Sequence, residues 1–209
     1  SNSLSKDTDL ALAVGTKLGD FTTGSWSNFQ NEDFKLVSIN TARFDVTKHL
    51  ATPVISDAKI GLLELSKALG DWRAPNNWYE RSIDEIKKWG SYVEKQSGPT
   101  NQELPSYAHA VGAVYRNADP SDIVVTAAGG LVGEVVQIWK PKELNTFETE
   151  WGFSCMGYEI SGALGIKMAK PDQDVIVFVG DGSYLLHNSD IYSSVLYDKK
   201  LIIVVCDNG

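Results

Sequence analysis

The sequence predicts an α/β fold in which parallel sheets are flanked by helices. Short apolar runs rich in β-branched and aromatic residues recur along the chain, and such runs are typical of strands buried on both faces of a parallel sheet. They occupy residues 34–39, 122–126, 175–179 and 201–205. The intervals between them are long enough for the crossover helices that parallel neighbours require. With 43% hydrophobic residues, the 209-residue chain can bury one or two cores.

The chain up to residue 100 is predicted to contain one strand followed by helical segments. After the run at 34–39 we expect a loop through His49 and Pro53, and then a helix over 57–69 whose apolar residues recur at helical spacing. Residues 70–100, rich in Trp, Lys and Glu, are expected to form a helical linker. We therefore divide the chain into a first domain at 1–69, this linker, and a second domain at 101–209.

Two oxygen-bearing side chains follow the last two predicted strands directly. Asp181 comes just after the run at 175–179, and Asn208 lies 27 residues beyond Asp181, just after the run at 201–205. This spacing suits a strand end, a crossover helix of about four turns and a second parallel strand. Because Mg²⁺ prefers oxygen ligands, Asp181 and Asn208 are predicted to be metal ligands at one edge of the sheet.

The residues around Asp181 favour an anion-binding turn. Gly180 and Gly182 permit a tight turn and the close approach of a ligand to the backbone. Ser183 is predicted to cap a helix over 184–197, and the free N–H groups at the start of that helix would face an anion. Together with the two metal ligands, these residues predict a site for a diphosphate group and a hard cation.

This arrangement resembles the motif of thiamine-diphosphate-dependent enzymes, in which Gly-Asp-Gly is followed some two dozen residues later by Asn. The resemblance implies that thiamine diphosphate and Mg²⁺ are the cofactors. It extends to Ser154, Cys155 and Met156, which resemble the loop beneath the cofactor's thiazolium ring, with Met156 at the place of the bulky residue that bends the cofactor. It also places Gly129 and Gly130, predicted in a loop at 127–131, over the diphosphate.

The sequences of these loops are similar to those of one branch of the family, whose members hydrolyse a trihydroxycyclohexane-1,2-dione in myo-inositol catabolism. The resemblance implies that the cofactor attacks a carbonyl of the cyclic dione and that water completes ring opening to 5-deoxyglucuronate. The alternative within the same family is an acetolactate-synthase-like carboligase or decarboxylase. A non-enzymatic α/β module with a coincidental motif is the third possibility.

No catalytic residue is assigned within this chain. The resemblance implies two partial domains: part of the family's central domain at 1–69, and a truncated cofactor domain at 101–209. The glutamate that protonates the cofactor's pyrimidine would then lie outside the chain, so we expect an inactive fragment of a longer protein. Glu159 and Asp190 are predicted to be helix-surface or capping acids, and His187 to face solvent or to pack.

Charge and composition limit the classes of partner that we expect for this chain. A net charge of −8 disfavours nucleic acid and anionic membranes, and no apolar run has the length of a bilayer-spanning helix. Cys155 and Cys206 lie in segments expected to be buried, which makes a disulfide framework unexpected and favours a cytoplasmic location. By resemblance we expect a small-molecule dione substrate and a homo-oligomer, a dimer or a tetramer.

Overall fold

The computed structural model describes residues 2–150 and 152–208 and separates them into two compact units, 1–90 and 91–209. Each unit contains one sheet whose strands are all parallel, with helices in the connections. The predicted fold class, parallel sheets flanked by helices, is confirmed. The three-part division of the chain at residues 69 and 100 stays a prediction.

The first unit contains a three-stranded sheet in the order β1-β2-β3. Its strands are β1 (Leu10–Val14), β2 (Lys35–Asn40) and β3 (Thr52–Ile55). Its short helices are α1 (Asn2–Ser5), α2 (Asp20–Thr23), α3 (Arg43–Val46) and a 3₁₀ turn at Lys48–Leu50. The predicted strand at 34–39 matches β2, but the predicted loop through Pro53 is wrong. Pro53 lies in β3, an outer strand of this sheet, where its missing N–H costs no ladder hydrogen bond.

Two longer helices follow this sheet. Helix α4 (Ala58–Leu69) begins where the sequence predicts, because the Asp57 carboxylate accepts hydrogen bonds from the N–H groups of Lys59 and Ile60 at 2.9 and 3.2 Å. Helix α5 (Asn76–Ser97) occupies most of the predicted helical linker.

The second unit contains a four-stranded sheet in the order β5-β4-β6-β7. Its strands are β4 (Ile123–Thr126), β5 (Phe147–Thr149), β6 (Val175–Gly180) and β7 (Ile202–Cys206). Its helices are α6 (Tyr107–Asn117), α7 (Gly129–Ile138), α8 (Tyr158–Ala169), α9 (Asp181–Leu186) and α10 (Ser189–Leu196). Because every pair of strands is parallel, all four carboxyl ends lie along one edge, which we call the carboxyl edge.

Alternate residues of the central strands pack against opposite layers of helices. On one face, Val124 and Phe178 pack with residues of α6 and α7. On the other, Val125 and Val177 pack with Ile160 of α8. Both faces are therefore buried, which explains why β4 and β6 have continuous apolar sequences rather than an alternation of apolar and polar residues.

The helix predicted over 184–197 is wrong as a single element. Helix α9 begins at Asp181, directly after β6, and ends before His187; α10 begins at Ser189. Ser183 is therefore a buried residue inside α9 and not its cap; the N-cap position belongs to Gly180. His187, at the interruption between the two helices, packs against Gly157.

The close approach of α6 to the end of α5 gives a test of this packing. A Cβ at Gly112 would lie 2.1 Å from the Ser97 carbonyl oxygen, so Gly112→Ala must push the two helices apart. We expect a loss of about 3 kcal/mol in the free energy of unfolding, measured by urea denaturation. Gly133→Ala in α7 is the matched control, since no atom lies within 4 Å of its new methyl group. That variant should gain up to about 1 kcal/mol from helix propensity. Equal stability of the two variants would contradict the packing described.

Candidate functional site at the carboxyl edge

Asp181 and Asn208 are brought to neighbouring positions by the register of β6 and β7. Gly180 and Cys206 are Cα partners across these strands, Asp181 follows Gly180, and Asn208 lies two residues beyond Cys206. Neighbouring strands lie about 4.8 Å apart, so both side chains leave the same part of the edge. Asp181 is half-buried and Asn208 is exposed. Among the described residues, neither side chain has a hydrogen bond or an ion pair.

Gly129 and Gly130 lie on the same edge, at the end of β4. The prediction that they belong to a loop is wrong, because they are the first two residues of α7. Gly129 has a φ of 79°, which favours glycine, and a Cβ at either position would meet no atom within 4 Å. The N-cap residue Ala128 provides no side-chain cap, so N–H groups of the first turn remain available to an anion.

The connection between β5 and α8, residues 150 and 152–157, is held by Glu150. Its carboxylate accepts hydrogen bonds from the backbone N–H groups of Cys155 and Phe153, each at 2.8 Å. These bonds, that of Cys155 first, hold the pKa of Glu150 below its ordinary value. The carboxylate thereby folds this segment, which we call the β5–α8 loop, into a tight turn.

Ser154 and Met156 connect the β5–α8 loop to the other loops of the edge. Ser154 adopts a φ of 53°, and its hydroxyl donates to the Ala127 carbonyl oxygen at 3.2 Å. Met156 is half exposed, and its Cε would lie 3.3 Å from a Cβ placed on Gly182. Met156 is therefore not a core residue, and it contacts the Gly-Asp-Gly turn. The structure thus brings together all three segments that the sequence predicts to contact the cofactor.

Glu159, predicted at a helix surface or as a cap, is fully buried at 0% exposure. Its Oε1 accepts the N–H of Ala128 at 3.0 Å, and its Oε2 accepts the N–H of Gly157 at 2.9 Å. The surface alternative is wrong, whereas the capping alternative holds for the start of α8. An acidic residue in the first turn of an otherwise apolar helix indicates a buried or capping role for Glu159. The sequence does not indicate that its hydrogen-bond partner lies 31 residues away.

The sequence does not identify two further polar side chains of this edge, those of Thr126 and Thr149. The hydroxyl oxygens of Thr126 and Thr149, Cα partners at the ends of β4 and β5, are buried and have no hydrogen-bond partner among the described residues. His187 is exposed, and its Nε2 lies 3.5 Å from Oδ2 of Asp190 in the first turn of α10. A Cβ on Gly157 would lie 2.4 Å from the Cβ of His187, so these two residues pack closely.

The two cysteines differ in environment. Both were expected to be buried, but only Cys206 is, and Cys155 is exposed in the β5–α8 loop. The reason is that Cys206 ends a strand of the sheet, whereas Cys155 lies in a turn whose backbone, and not its side chain, is held by Glu150. Burial raises the pKa of the Cys206 thiol. Both thiols are free.

The described residues contain no group of three or more His, Cys, Asp or Glu side chains placed to hold a metal ion. A cation here would therefore rest on Asp181, Asn208 and oxygen atoms that a ligand brings. Within the same described part of the chain, no helix is both long enough and apolar enough to cross a bilayer.

Comparisons with known proteins agree with this geometry. Residues 127–209, which contain all four loops of the carboxyl edge, match the thiamine pyrophosphate enzyme family at its C-terminal TPP binding domain. Residues 127–209 are thus similar to the cofactor-binding domain of this family. The match begins at Ala127, the first residue after β4, and so covers each predicted cofactor-binding residue.

Similarity to curated relatives extends beyond that domain. The chain is 34% identical to the 3D-(3,5/4)-trihydroxycyclohexane-1,2-dione hydrolase of Geobacillus thermodenitrificans, 36% to that of Clostridium tetani and 33% to that of Bacillus anthracis. Each alignment covers 100% of this chain and 36% of the relative. The chain thus spans about a third of the length of these curated relatives.

The Glu150 carboxylate gives a pH-dependent prediction. Its folded pKa lies below the ordinary value of 4.5, so its stabilising effect is present above about pH 4.5 and is lost as the pH falls through the folded value. We expect Glu150→Gln to lower the urea midpoint at about pH 7, and the difference from the unmodified chain to shrink below about pH 4.5. Glu148→Gln, at an exposed residue of β5, is the control. It should change neither the urea midpoint at about pH 7 nor its dependence on pH. A pH-independent difference would show that the charge is not responsible.

The two thiols should differ in reactivity. Iodoacetamide at about pH 8 is expected to modify Cys155 rapidly and Cys206 slowly, because the thiolate is the nucleophile and burial both shields Cys206 and raises its pKa. Mass spectrometry of peptides after timed quenching measures the two rates. Unfolding in urea should make the rates converge. Faster modification of Cys206 in the folded chain would contradict the structure.

Proposed function

We propose that this chain contributes the diphosphate- and magnesium-holding part of a thiamine-diphosphate-dependent hydrolase that opens a cyclic 1,2-dione. The observation that carries the proposal is the identity of 33 to 36% over the whole chain with three proteins named as dione hydrolases. Proteins of this identity commonly share a fold and cofactor, and the carboxyl edge described above supplies matching chemistry.

The residues present fit a diphosphate bound with a hard divalent cation. The carboxylate of Asp181 and the amide of Asn208 offer oxygen ligands from neighbouring strands, as Mg²⁺ prefers. The first turn of α7 offers N–H donors, and the backbone at Gly129, Gly130 and Gly180 faces open space that a ligand can enter. When bound, thiamine diphosphate supplies the carbanion chemistry needed at a carbon beside a carbonyl.

The chain's own residues would then hold and orient the cofactor. Asp181 and Asn208 would bind the cation, and the turn through Gly182 would contact the diphosphate with Ser183 packed behind it. The β5–α8 loop, through Ser154, Cys155 and Met156, would contact the cofactor's rings. The half-exposed Met156 is suited to this because its side chain is not committed to the core.

The remaining expectations stay predictions of this proposal. They are a homo-oligomeric assembly, a cytoplasmic location, and a lack of turnover by these 209 residues alone.

Calorimetry tests the cofactor assignment. Thiamine diphosphate with Mg²⁺ is titrated into the 209-residue chain and into a polypeptide of the relatives' length that contains it. We expect magnesium-dependent binding by the longer polypeptide, and a weakening of about tenfold or more in Asp181→Asn, which removes the charged ligand. Asp172→Asn, at an exposed aspartate between α8 and β6, is the matched control and should bind normally. Failure of the unmodified longer polypeptide to bind would refute the assignment.

Substrate turnover separates the hydrolase from the carboligase alternative. The same longer polypeptide, loaded with cofactor, is given the trihydroxycyclohexane-1,2-dione and, separately, pyruvate. Ring opening of the dione without consumption of pyruvate supports the proposal. Turnover of pyruvate to acetolactate or to a decarboxylated product would replace the hydrolase by the alternative.

A further inference from the structure

We infer that Glu159 is a positioning residue of the cofactor site, which sets the spacing between the loop at the start of α7 and the β5–α8 loop. The inference rests on the proposed function, because it concerns the two loops assigned there to the diphosphate and to the cofactor's rings. It assigns a role to a carboxylate that would contact neither the diphosphate nor the rings of the cofactor.

The geometry of Glu159 is that of a bridge between two chain segments. Its two oxygen atoms accept one backbone N–H each, from Ala128 at 3.0 Å and from Gly157 at 2.9 Å. Ala128 is the N-cap residue of α7 and Gly157 is the N-cap residue of α8. One rigid carboxylate therefore joins the starts of two helices that come from different strands.

The charge of Glu159 is balanced without a cation. Its side chain is 0% exposed, and among the described residues no Lys, Arg or His side chain forms an ion pair with it. A buried carboxylate is costly unless its oxygens are hydrogen-bonded. Here two N–H donors and the positive ends of α7 and α8, helices of 10 and 12 residues, provide that compensation.

The bridge requires a carboxylate, because both backbone groups that it joins are hydrogen-bond donors. A glutamine has only one oxygen, so its NH₂ group would face the N–H of either Ala128 or Gly157 and leave that donor unsatisfied. An aspartate has both oxygens, but it is one methylene shorter and cannot reach both loops from the same backbone position. The identity of residue 159 is therefore dictated by the two loops and not by helix propensity.

The two bonded residues adjoin the cofactor contacts of the proposed function. Ala128 directly precedes Gly129 and Gly130, and Gly157 directly follows Met156. The hydroxyl of Ser154 adds a second link through the Ala127 carbonyl oxygen. A shift of either N-cap would therefore change the distance between the diphosphate contacts and the ring contacts, which one bound cofactor must span.

The test compares Glu159→Gln with Lys167→Met. Lys167 is a buried polar residue at the far end of the same helix, where its Nζ donates to the Gln173 carbonyl oxygen at 2.6 Å. Both variants lose buried hydrogen bonds, but only the first loses the bridge. Thermal unfolding and amide hydrogen exchange are measured in the 209-residue chain without cofactor. Affinity for thiamine diphosphate with Mg²⁺ is measured in the longer polypeptide.

For Glu159→Gln we expect exchange in peptides covering 127–131 and 152–157 to rise roughly tenfold, as one unpaired donor frees the loops. Cofactor affinity should fall by about tenfold or more. Lys167→Met should lower the melting temperature while leaving the exchange rates of both peptides and the cofactor affinity unchanged. Glu159→Asp, which keeps the charge and can reach one loop, should give an intermediate affinity, and it carries the test if the glutamine variant does not fold.

Three outcomes count against the inference, and they are distinguishable. If the unmodified longer polypeptide binds cofactor and Glu159→Gln binds equally well, the bridge is only structural and this inference fails alone. It also fails alone if Lys167→Met weakens binding as much for the same loss of melting temperature. If the unmodified polypeptide does not bind, the proposed function fails, and the inference fails with it.

Discussion

The parallel pairing of β5, β4, β6 and β7 is the constraint on which the rest of this molecule depends. Parallel strands must all end at the same edge, and each connection must then return along a helix layer. Segments far apart in the sequence consequently begin or end within one strip of surface. The register between Gly180 and Cys206 illustrates this, because it places Asp181 and Asn208 at neighbouring strand ends although 27 residues separate them. Without that register, neither side chain would have a metal-binding partner.

A second consequence is that the site consists largely of backbone groups. Helix starts and the loops before them present free N–H groups at the carboxyl edge, and two acidic side chains bind some of these groups. Glu150 binds the N–H groups of Phe153 and Cys155, and Glu159 binds those of Ala128 and Gly157. These acids stabilise loop conformations, which is why their presence in the site does not imply acid or base catalysis. The donors that remain, at the start of α7, are those suited to a bound anion.

This division of roles agrees with the family domain that the chain resembles. It matches the family at the domain that binds thiamine pyrophosphate, and it spans 36% of the length of the dione hydrolases that it resembles. The described residues offer oxygen ligands, N–H donors and open backbone, all of which hold a cofactor. The proposed hydrolase activity rests on the similarity of the chain to those relatives.

Local sequence determined the elements whose signal is local. The runs that became β4 and β6 are apolar because both faces of these central strands are buried, and the predicted pair of metal ligands follows from strand spacing alone. Tertiary structure decided what depends on distant partners. β5 is a three-residue strand of mixed polarity that exists because β4 pairs with it. His187, at the break between α9 and α10, packs against the distant Gly157, and the buried Glu159 accepts a hydrogen bond from an N–H 31 residues away. Periodicity and composition report the surroundings of a residue within a few turns, whereas these features arise from contacts made only when the chain has folded.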